Sequence, residues 1–446
     1  PNAKILAPSE SDMTKSNRAR LLSQIAANDF DIVIISHPQL TMLPVSKETQ
    51  SDFISQQLDE LESVITSAKS EKTSDSRFIK DLEKSKEKLE EKLKDMLDMP
   101  KDDTVTFEEL GVDSIFVDEA HNFKNLNYYT KLNVAGVGGS GTDTGKCPDL
   151  LMKCDYIRKK KGIIVFGTAT PITNSVSEIY AMTKYVSPST LENSDIHAFD
   201  SWAADFGNIV SETEMSADGK TYKQKERFSK FKNVSQMVGL FRQFTSVIRT
   251  EEVVKDLPKA EYIDVISPSS QYHEEYINNI VKRTQSIKGR GKGNTDSMLL
   301  ITQDGRAMAT DLRLVADQIG LDEDVLDLPT SRINLCVKNV VTEYKDSKDT
   351  KGTQFVFLDF GMPHKGGDKP KRYGFGLYTD LVDKLVKNGI PKAEIACMGD
   401  YDTQAQKEKL FAEVNSGKIR VLIGSTAKMG EGVNALQGAI ALHDLS

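Results

Sequence analysis

The sequence predicts an α/β protein built on parallel sheets, with helical inserts between its strands. Three observations lead there. Short apolar runs of strand length recur along the chain: "AKILAPS", "FDIVIISH", "DSIFVDEA", "GIIVFGTAT", "TQFVFLDF", "AEIACMG" and "IRVLIGST". Several are apolar on both faces, the pattern of strands covered by helices on either side. Helical patterns stand between them, at Ser16 to Ala27, Val176 to Val186 and Thr379 to Asn388, which is βα alternation. The runs also fall into two groups, one before about residue 187 and one after about residue 352. Two α/β domains are the simplest reading.

The length of 446 residues, 38% of them apolar, allows more than one core at roughly 150 residues per domain. The charged fraction is 28% and the net charge −8, unlike a dedicated basic nucleic-acid module, although local patches can still bind phosphate. Four scattered cysteines (Cys147, Cys154, Cys336, Cys397) form no CxxC pair. That argues against a disulfide framework or a zinc site and fits a reducing cytoplasm. No apolar run approaches the ~20 residues that span a bilayer, and no signal peptide is recognisable.

Three inserts interrupt the alternation. In Ser46 to Lys101, Ile54, Leu58, Leu61 and Ile65 make one helical stripe, and Leu82, Leu89, Leu93 and Met96 another. With "SEKTSDS" between them they read as an αα-hairpin, either purely structural or an arm that docks a protein partner. Leu191 to Leu257 reads as mostly helical, with a β-hairpin at the Asp-Gly turn of "MSADGKTY". Ser267 to Pro329 has a helical run and then the basic "KGRGKGN". There are no internal repeats.

The chemistry concentrates in three motifs. The strand run of "DSIFVDEAHNFKNL" ends on Asp118 and Glu119, and open α/β sheets bind ligands at the carboxyl ends of their strands. Adjacent carboxylates repel unless a cation lies between them and substrate phosphates, and Mg²⁺ binds through one or two carboxylates plus phosphate oxygens. Asp118 would hold the magnesium shell, and Glu119 would orient or deprotonate an attacking water. The plainer alternative is a solvated loop after a strand. In "IIVFGTATPITNSVSEIY", Gly167 to Pro171 follow a strand and precede a helix opened by Asn174 or Ser175. Its hydroxyls can bond the acidic pair, or the stretch is an ordinary strand-turn-helix. In "RVLIGSTAKMGEGVNAL", Gly424, Ser425 and Thr426 precede Gly430-Glu431-Gly432-Val433-Asn434. Such hydroxyls, N–H groups and glycines suit phosphate oxygens, though G-x-G also occurs in many turns.

In that order the motifs resemble the superfamily 2 helicase and translocase motor, most closely its Swi/Snf branch. Motif II is Asp118 to His121, followed by the Lys124-Asn125 extension typical of Snf-type motors. Motif III is Thr168 to Pro171, and "ITNSVSEIY" is similar to that branch's "LQNNLxELW". Motif Ia is "ILAPSE" and motif Ib "DIVIISHPQL", with Ser36 and His37. Motif IV is "QFVFLDF" and motif V Gly424 to Asn434. Between the two groups, "LFRQFTSVIRTEEVVKDLPKAEYIDVISPSSQYHEEY" looks like the Snf-type bridge, with a strand and then a helix opened near Gln271. "TFEELGVDSIFVDEAHNFKNL", "DGRAMATDLRL" and "GSTAKMGEGVN" resemble a closer subgroup, the large helicase–methyltransferase proteins of phages, plasmids and conjugative elements.

The resemblance implies two RecA-like parallel-sheet lobes of the P-loop NTPase fold. Lobe 1 would span 1–262, with inserts at 46–101 and 191–257. A helical linker would span 263–331, and lobe 2 would span 332–446. It implies ATP and Mg²⁺ in a cleft between the lobes, and double-stranded DNA held mainly by its backbone. Closure of the cleft would step the motor along DNA. His121, Thr168 and Thr170, with Lys124 and Asn125, would couple the two sites. Ser36, His37, Ser425 and Thr426 would face DNA, and Gly430, Gly432 and Asn434 would line the cleft near the nucleotide. A cytoplasmic setting, in a bacterial or phage-infected cell, goes with it.

Two parts of that pattern are absent. No G-x-x-x-x-G-K-[ST] precedes motif Ia; "SGTDTGKC" at Ser140 to Cys147 lies after the DEAH box and departs from the motif at both ends. No arginine-bearing motif VI follows "ALHDLS". The expectation is an excerpt of a longer polypeptide, with lobe 1 truncated before its P-loop and lobe 2 before motif VI, inactive as an ATPase by itself. "RKKK" (Arg158 to Lys161), "KGRGKG" (Lys288 to Gly293) and "KPKRYG" (Lys369 to Gly374) are candidate contacts to DNA phosphate, or solvated loops. His197, His273 and His364 lack ligand spacing and read as structural. No methyltransferase N-P-P-Y occurs. Two other readings stay open: a degenerate motor serving as a DNA- or protein-binding scaffold, and the motor part of a restriction or antirestriction protein.

Overall fold

The computed structural model describes residues 3–445 except 71–75, 99–104, 133, 135–136, 138–144, 174, 216–221, 254–258, 288–295, 362–372 and 431–432. Each of the seven apolar runs contains a strand. They give β1 (Ile5–Leu6), β2 (Ile32–Val33), β3 (Ser114–Val117), β4 (Ile163–Phe166), then β7 (Thr353–Phe357), β8 (Ile395–Cys397) and β9 (Val421–Gly424); β5 (Gly207–Met215), β6 (Tyr222–Phe231) and β10 (Ala439–Asp444) complete the set. The chain is a mixed α/β structure with parallel sheets. It divides into two compact units, Pro1–Glu214 with Tyr222–Leu257, and chiefly Pro258–Ser446.

In the first unit β1 pairs with β2 and β3 with β4, both in parallel. One face of each pair lies on a single core: Leu6, Val33, Ile115, Val117, Ile164 and Phe166 meet Leu22, Phe107, Phe123, Leu150 and Ile157. Leu22, Leu150 and Ile157 have no exposed surface, and each contributes roughly 1.5–3 kcal/mol by burial. They come from the helices Arg18–Ala27 and Lys146–Lys159. On the opposite face Ile5, Ile32, Phe116, Ile163 and Val165 are exposed. Cover on both faces is thus not seen among the described residues of this unit. Strand side chains alternate, and the helices among the described residues pack on one face only.

The first insert is the expected hairpin, of helices Lys47–Ser70 and Ser76–Asp98. Leu61, Val64, Ile65 and Leu82 form its seam; Leu58 is only half-buried, and the Met96 side chain lies outside the described residues. In the second insert β5 pairs with β6, while the tip of the expected turn, 216–221, lies outside the described residues. The helix Phe199–Phe206 holds this insert through an aromatic cluster of Tyr128, Tyr180, Phe199, Trp202, Phe206 and Phe228.

The second unit holds a four-stranded parallel sheet in the order β10-β7-β9-β8. Here both faces are covered. Val356, Leu358, Val421 and Ile423 pack with the helices Arg332–Asp346 and Leu377–Lys387. Phe355, Ala396 and Leu422 point the other way, onto Leu410 and Val414 of the helix Gln404–Asn415. The helix near Gln271 spans Gln271–Ser286 and is capped reciprocally by Ser270 and His273.

Two expectations need correction, and one strand was not expected. The helix expected from Val176 begins at Glu178, because Ser175 turns back to accept the Ser177 N–H at 3.2 Å. The strand expected in "AEYIDVIS" does not form: Tyr262, Ile263 and Ile266 are exposed, and no strand of the described residues lies alongside. Conversely β10 was not foreseen. Its "AIALHD" mixes exposed Ile440 and Leu442 with a histidine and an acid, so no buried-strand signature shows. Among the described residues, no helix is long and apolar enough to cross a membrane.

The register of β10 is held from inside the sheet. Gln354, with no exposed surface, donates from Nε2 to Val340 O at 3.0 Å and accepts from His443 Nε2 at 2.9 Å. The imidazole is thus used as a neutral donor, and burial pushes its pKa from 6.5 down to about 4. Between those values the unfolded chain binds the additional proton. The stabilisation is therefore complete above the unfolded value and is lost as pH falls towards the folded one. Urea unfolding of the second unit should show this loss in wild type, and His443→Gln should flatten it.

Candidate functional site

The site is built where β3 and β4 end. The parallel ladder runs from Ser114 opposite Ile163 to Val117 opposite Phe166. It starts tightly: a Cβ on Gly162 would stand 1.9 Å from Asp113 O, so only glycine lets β4 enter here. It also continues past its last pair. Gly167 N–H donates to Val117 O at 2.8 Å, and Ala120 N–H donates to Gly167 O at 2.9 Å. These bonds bring the turn after β3 against the turn after β4, and between them stand Asp118 and Glu119.

Glu119 adopts φ 48°, ψ 46°, the left-handed region that costs a non-glycine residue about 1–2 kcal/mol. That conformation reverses the chain so that Ala120 can reach Gly167. Asp118 is exposed, and its Oδ1 accepts the Glu119 N–H at 3.0 Å. His121 Nδ1 lies 3.2 Å from Glu119 Oε2 and 3.2 Å from Thr168 Oγ1. Thr170 N–H donates to Thr168 Oγ1 at 3.1 Å. One imidazole nitrogen thus faces a carboxylate on its own turn and a hydroxyl on the next.

His37 Nε2 stands 2.9 Å from Asp118 O, with its ring edge-on to Phe123. Ser36 caps the short helix His37–Thr41, its Oγ accepting from Gln39 N–H. Lys124 Nζ lies 3.4 Å from Glu178 Oε1, and Asn125 is exposed. The structure therefore brings together Asp118, Glu119, His121, Thr168, Thr170 and His37, with Lys124 behind them.

Gly145-Lys146 of "SGTDTGKC" does open a helix, Lys146–Lys159, but Lys146 lies over the Phe123 ring at 5.5 Å; residues 140–144 are outside the described residues. In "RKKK", Arg158 is engaged by Asp155 and by Tyr185 O, and Lys160 lies over Tyr156. Lys288 to Gly293 and 369–372 lie outside the described residues.

In the second unit the turn after β9 carries Ser425 and Thr426. Ser425 is buried, and its hydroxyl has no hydrogen-bond partner among the described residues. Thr426 N–H donates to Asp359 Oδ1 at 2.8 Å. Gly430 closes the following short helix, where a Cβ would stand 2.6 Å from Thr426 O. Asn434 contributes its carbonyl to Asn415 Nδ2 at 2.9 Å. Gly432 lies outside the described residues.

Two residues with evident roles in these turns escaped sequence reasoning. Asp359 follows β7 as Asp118 follows β3, and an acid at a parallel strand's carboxyl end was the signal. Glu178 stands in the first turn of the helix Glu178–Val186, where an acid ordinarily reads as a favourable charge for the helix N-terminus.

No cluster of three or more metal-ligating side chains occurs among the described residues. Asp118 is exposed, and its second carboxylate oxygen makes no hydrogen bond among them. Such a donor fits an ion completed by water and phosphate oxygens, as magnesium is.

Residues 1–250 match the family described as probable helicase domain. The chain belongs to this family. The matched span contains the whole of the β3–β4 site. A relative, "Defense against restriction protein B" of Escherichia phage P1, is 26% identical over 204 residues, which cover 45% of this chain and 9% of that protein. The helicase-domain chain therefore corresponds to a small part of that relative's length.

The strain at Glu119 is testable without any assay of activity. Both Glu119→Gly and Glu119→Ala delete the carboxylate, but only glycine tolerates the left-handed backbone. Urea unfolding should find the glycine variant the more stable by about 1 kcal/mol.

Proposed function

We propose that this helicase domain is the motor module of an ATP-dependent translocase on double-stranded DNA, of the superfamily 2, Swi/Snf-type DEAH-box class, from a phage or mobile-element protein. The observation that carries the reading is His121 Nδ1, 3.2 Å from both Glu119 and Thr168. A carboxylate that handles the attacking water is joined by one imidazole to the turn that would respond to nucleotide and DNA.

Asp118 and Glu119 would hold magnesium with the ATP phosphates, and that ion would neutralise charge developing on the transferred phosphoryl group. Glu119, left-handed and facing His121, orients the water and receives its proton. His121 and Thr168, with Thr170 bonded to Thr168, register the state of that carboxylate on the second turn. Lys124 and Asn125 continue the coupling turn. DNA would be held through its backbone by Ser36, His37 and Thr426, whereas the expected contact from Ser425 does not fit its buried hydroxyl; Gly430, Gly432 and Asn434 would serve the nucleotide. Backbone contact of this kind makes affinity steeply salt-dependent and nearly blind to sequence.

A second reading is the motor part of an antirestriction protein, favoured by the resemblance to the phage P1 protein. It differs in biological setting and not in the chemistry of Glu119.

The test is ATP hydrolysis by the complete gene product, with and without double-stranded DNA. Wild type should be stimulated by DNA, and Glu119→Gln should lose at least about a hundredfold in turnover, the scale of a positioned acid–base group. Equal rates would remove Glu119 from the chemistry. The chain of 446 residues by itself, which carries no phosphate-loop motif, should turn over little or no ATP, and robust turnover would overturn that expectation.

A further inference from the structure

Glu178 is a buried charged residue that the functional reading leaves unused. It is 4% exposed. A carboxylate so placed loses its hydration and persists only if its oxygens are well engaged. Oε1 lies 3.4 Å from Lys124 Nζ, on the turn that follows Asp118 and Glu119. Oε2 accepts the Thr173 N–H at 2.6 Å, on the loop that follows β4. The Lys124 side chain is 12% exposed, so water competes little with this pair.

The placement gives the loop Thr168 to Thr173 two anchors on one turn. At its start Thr168 meets His121; at its end Thr173 meets Glu178, which meets Lys124. The first anchor is a contact between the His121 ring and the Thr168 hydroxyl, both partly exposed. The second is buried and ionic, hence the stiffer of the two. With both ends held, a shift of the Glu119–Lys124 turn carries the Thr168–Thr173 loop with it.

We propose that Glu178 is the positioning residue of the site, the buried link that makes these two turns move as one body and so transmits the state of Glu119 to the loop after β4. The transmission half rests on the ATPase reading above; the mechanical half does not.

Two measurements separate them. The first is amide hydrogen exchange on this chain. Glu178→Gln should raise exchange at Thr173 and also at Asn122 and Lys124 by at least about tenfold, with Leu422 in the second unit unchanged. Lys124→Met touches no atom of Thr173 yet should also speed exchange at the Thr173 amide. If Thr173 responds to Glu178→Gln alone while Asn122, Lys124 and the Lys124→Met variant show no such coupling, the link is a local hydrogen bond and the proposal falls. Should Glu178→Gln fail to fold, Lys124→Met decides. The second is the ratio of DNA-stimulated to unstimulated ATP turnover in the complete gene product. Glu178→Gln should bring that ratio towards one, and an unchanged ratio in a folded variant overturns the transmission half. A wild type that DNA does not stimulate removes the functional reading instead, and leaves the exchange result to judge the link.

Discussion

Four residues of β3 lie in parallel register against four residues of β4, and the candidate site depends on that ladder. The close approach of Gly162 to Asp113 starts it. The bonds through Gly167 prolong it beyond the last strand pair. Without that prolongation the two turns would leave the sheet independently, and Asp118, Glu119 and His121 would have no fixed relation to Thr168. The left-handed backbone at Glu119 follows from the same constraint, since the chain must reverse within one residue for Ala120 to reach Gly167. Local strain of this kind persists where surrounding bonds over-determine it. Here those bonds are backbone bonds of the ladder itself.

The two units handle their strands differently. In the second, β7, β8 and β9 are packed on both faces, and the sheet is further pinned by a buried glutamine that joins a helix carbonyl to His443. In the first, a row of isoleucine, valine and phenylalanine side chains lies bare on one face. An all-parallel sheet is ordinarily covered on both sides; among the described residues of the first unit only one face of β1 to β4 is covered. The turns after β3 and β4 are held from beneath by Phe123, Leu150 and Tyr185, and across their tops by polar contacts such as His121 with Thr168. Buried charge supplies part of that support. Lys124 and Glu178 lie where apolar side chains could have packed, and their pairing joins specific atoms rather than surfaces.

Much of this was legible in the chain. All seven strand runs formed strands, because a short apolar run bounded by Gly, Pro, Asp or Ser carries its signal within itself. The αα-hairpin was legible from the 3.6-residue period of Ile54, Leu61 and Ile65. The acidic pair, and the segment that holds Thr168 and Thr170, could be placed at strand ends for the same reason. β10 was missed because an edge strand with one exposed face shows only weak alternation. The strand expected at Glu261 to Ile266 has the right residues, but strand formation needs a neighbour, and local composition cannot supply one.

The sequence by itself determined the mixed α/β class with parallel strands, the order of the motifs and the identity of the candidate side chains, because periodicity and residue chemistry are local properties. The tertiary structure alone decided which of those side chains meet. His121 shares one nitrogen between Glu119 and Thr168, 47 residues apart in the last case. Glu178 joins Lys124 to Thr173, Asp359 takes the Thr426 N–H, and one face of β1 to β4 is left bare. The contacts of His121 with Thr168, of Glu178 with Lys124 and of Asp359 with Thr426 join distant segments, set by strand register and packing, and no short window of sequence contains both partners.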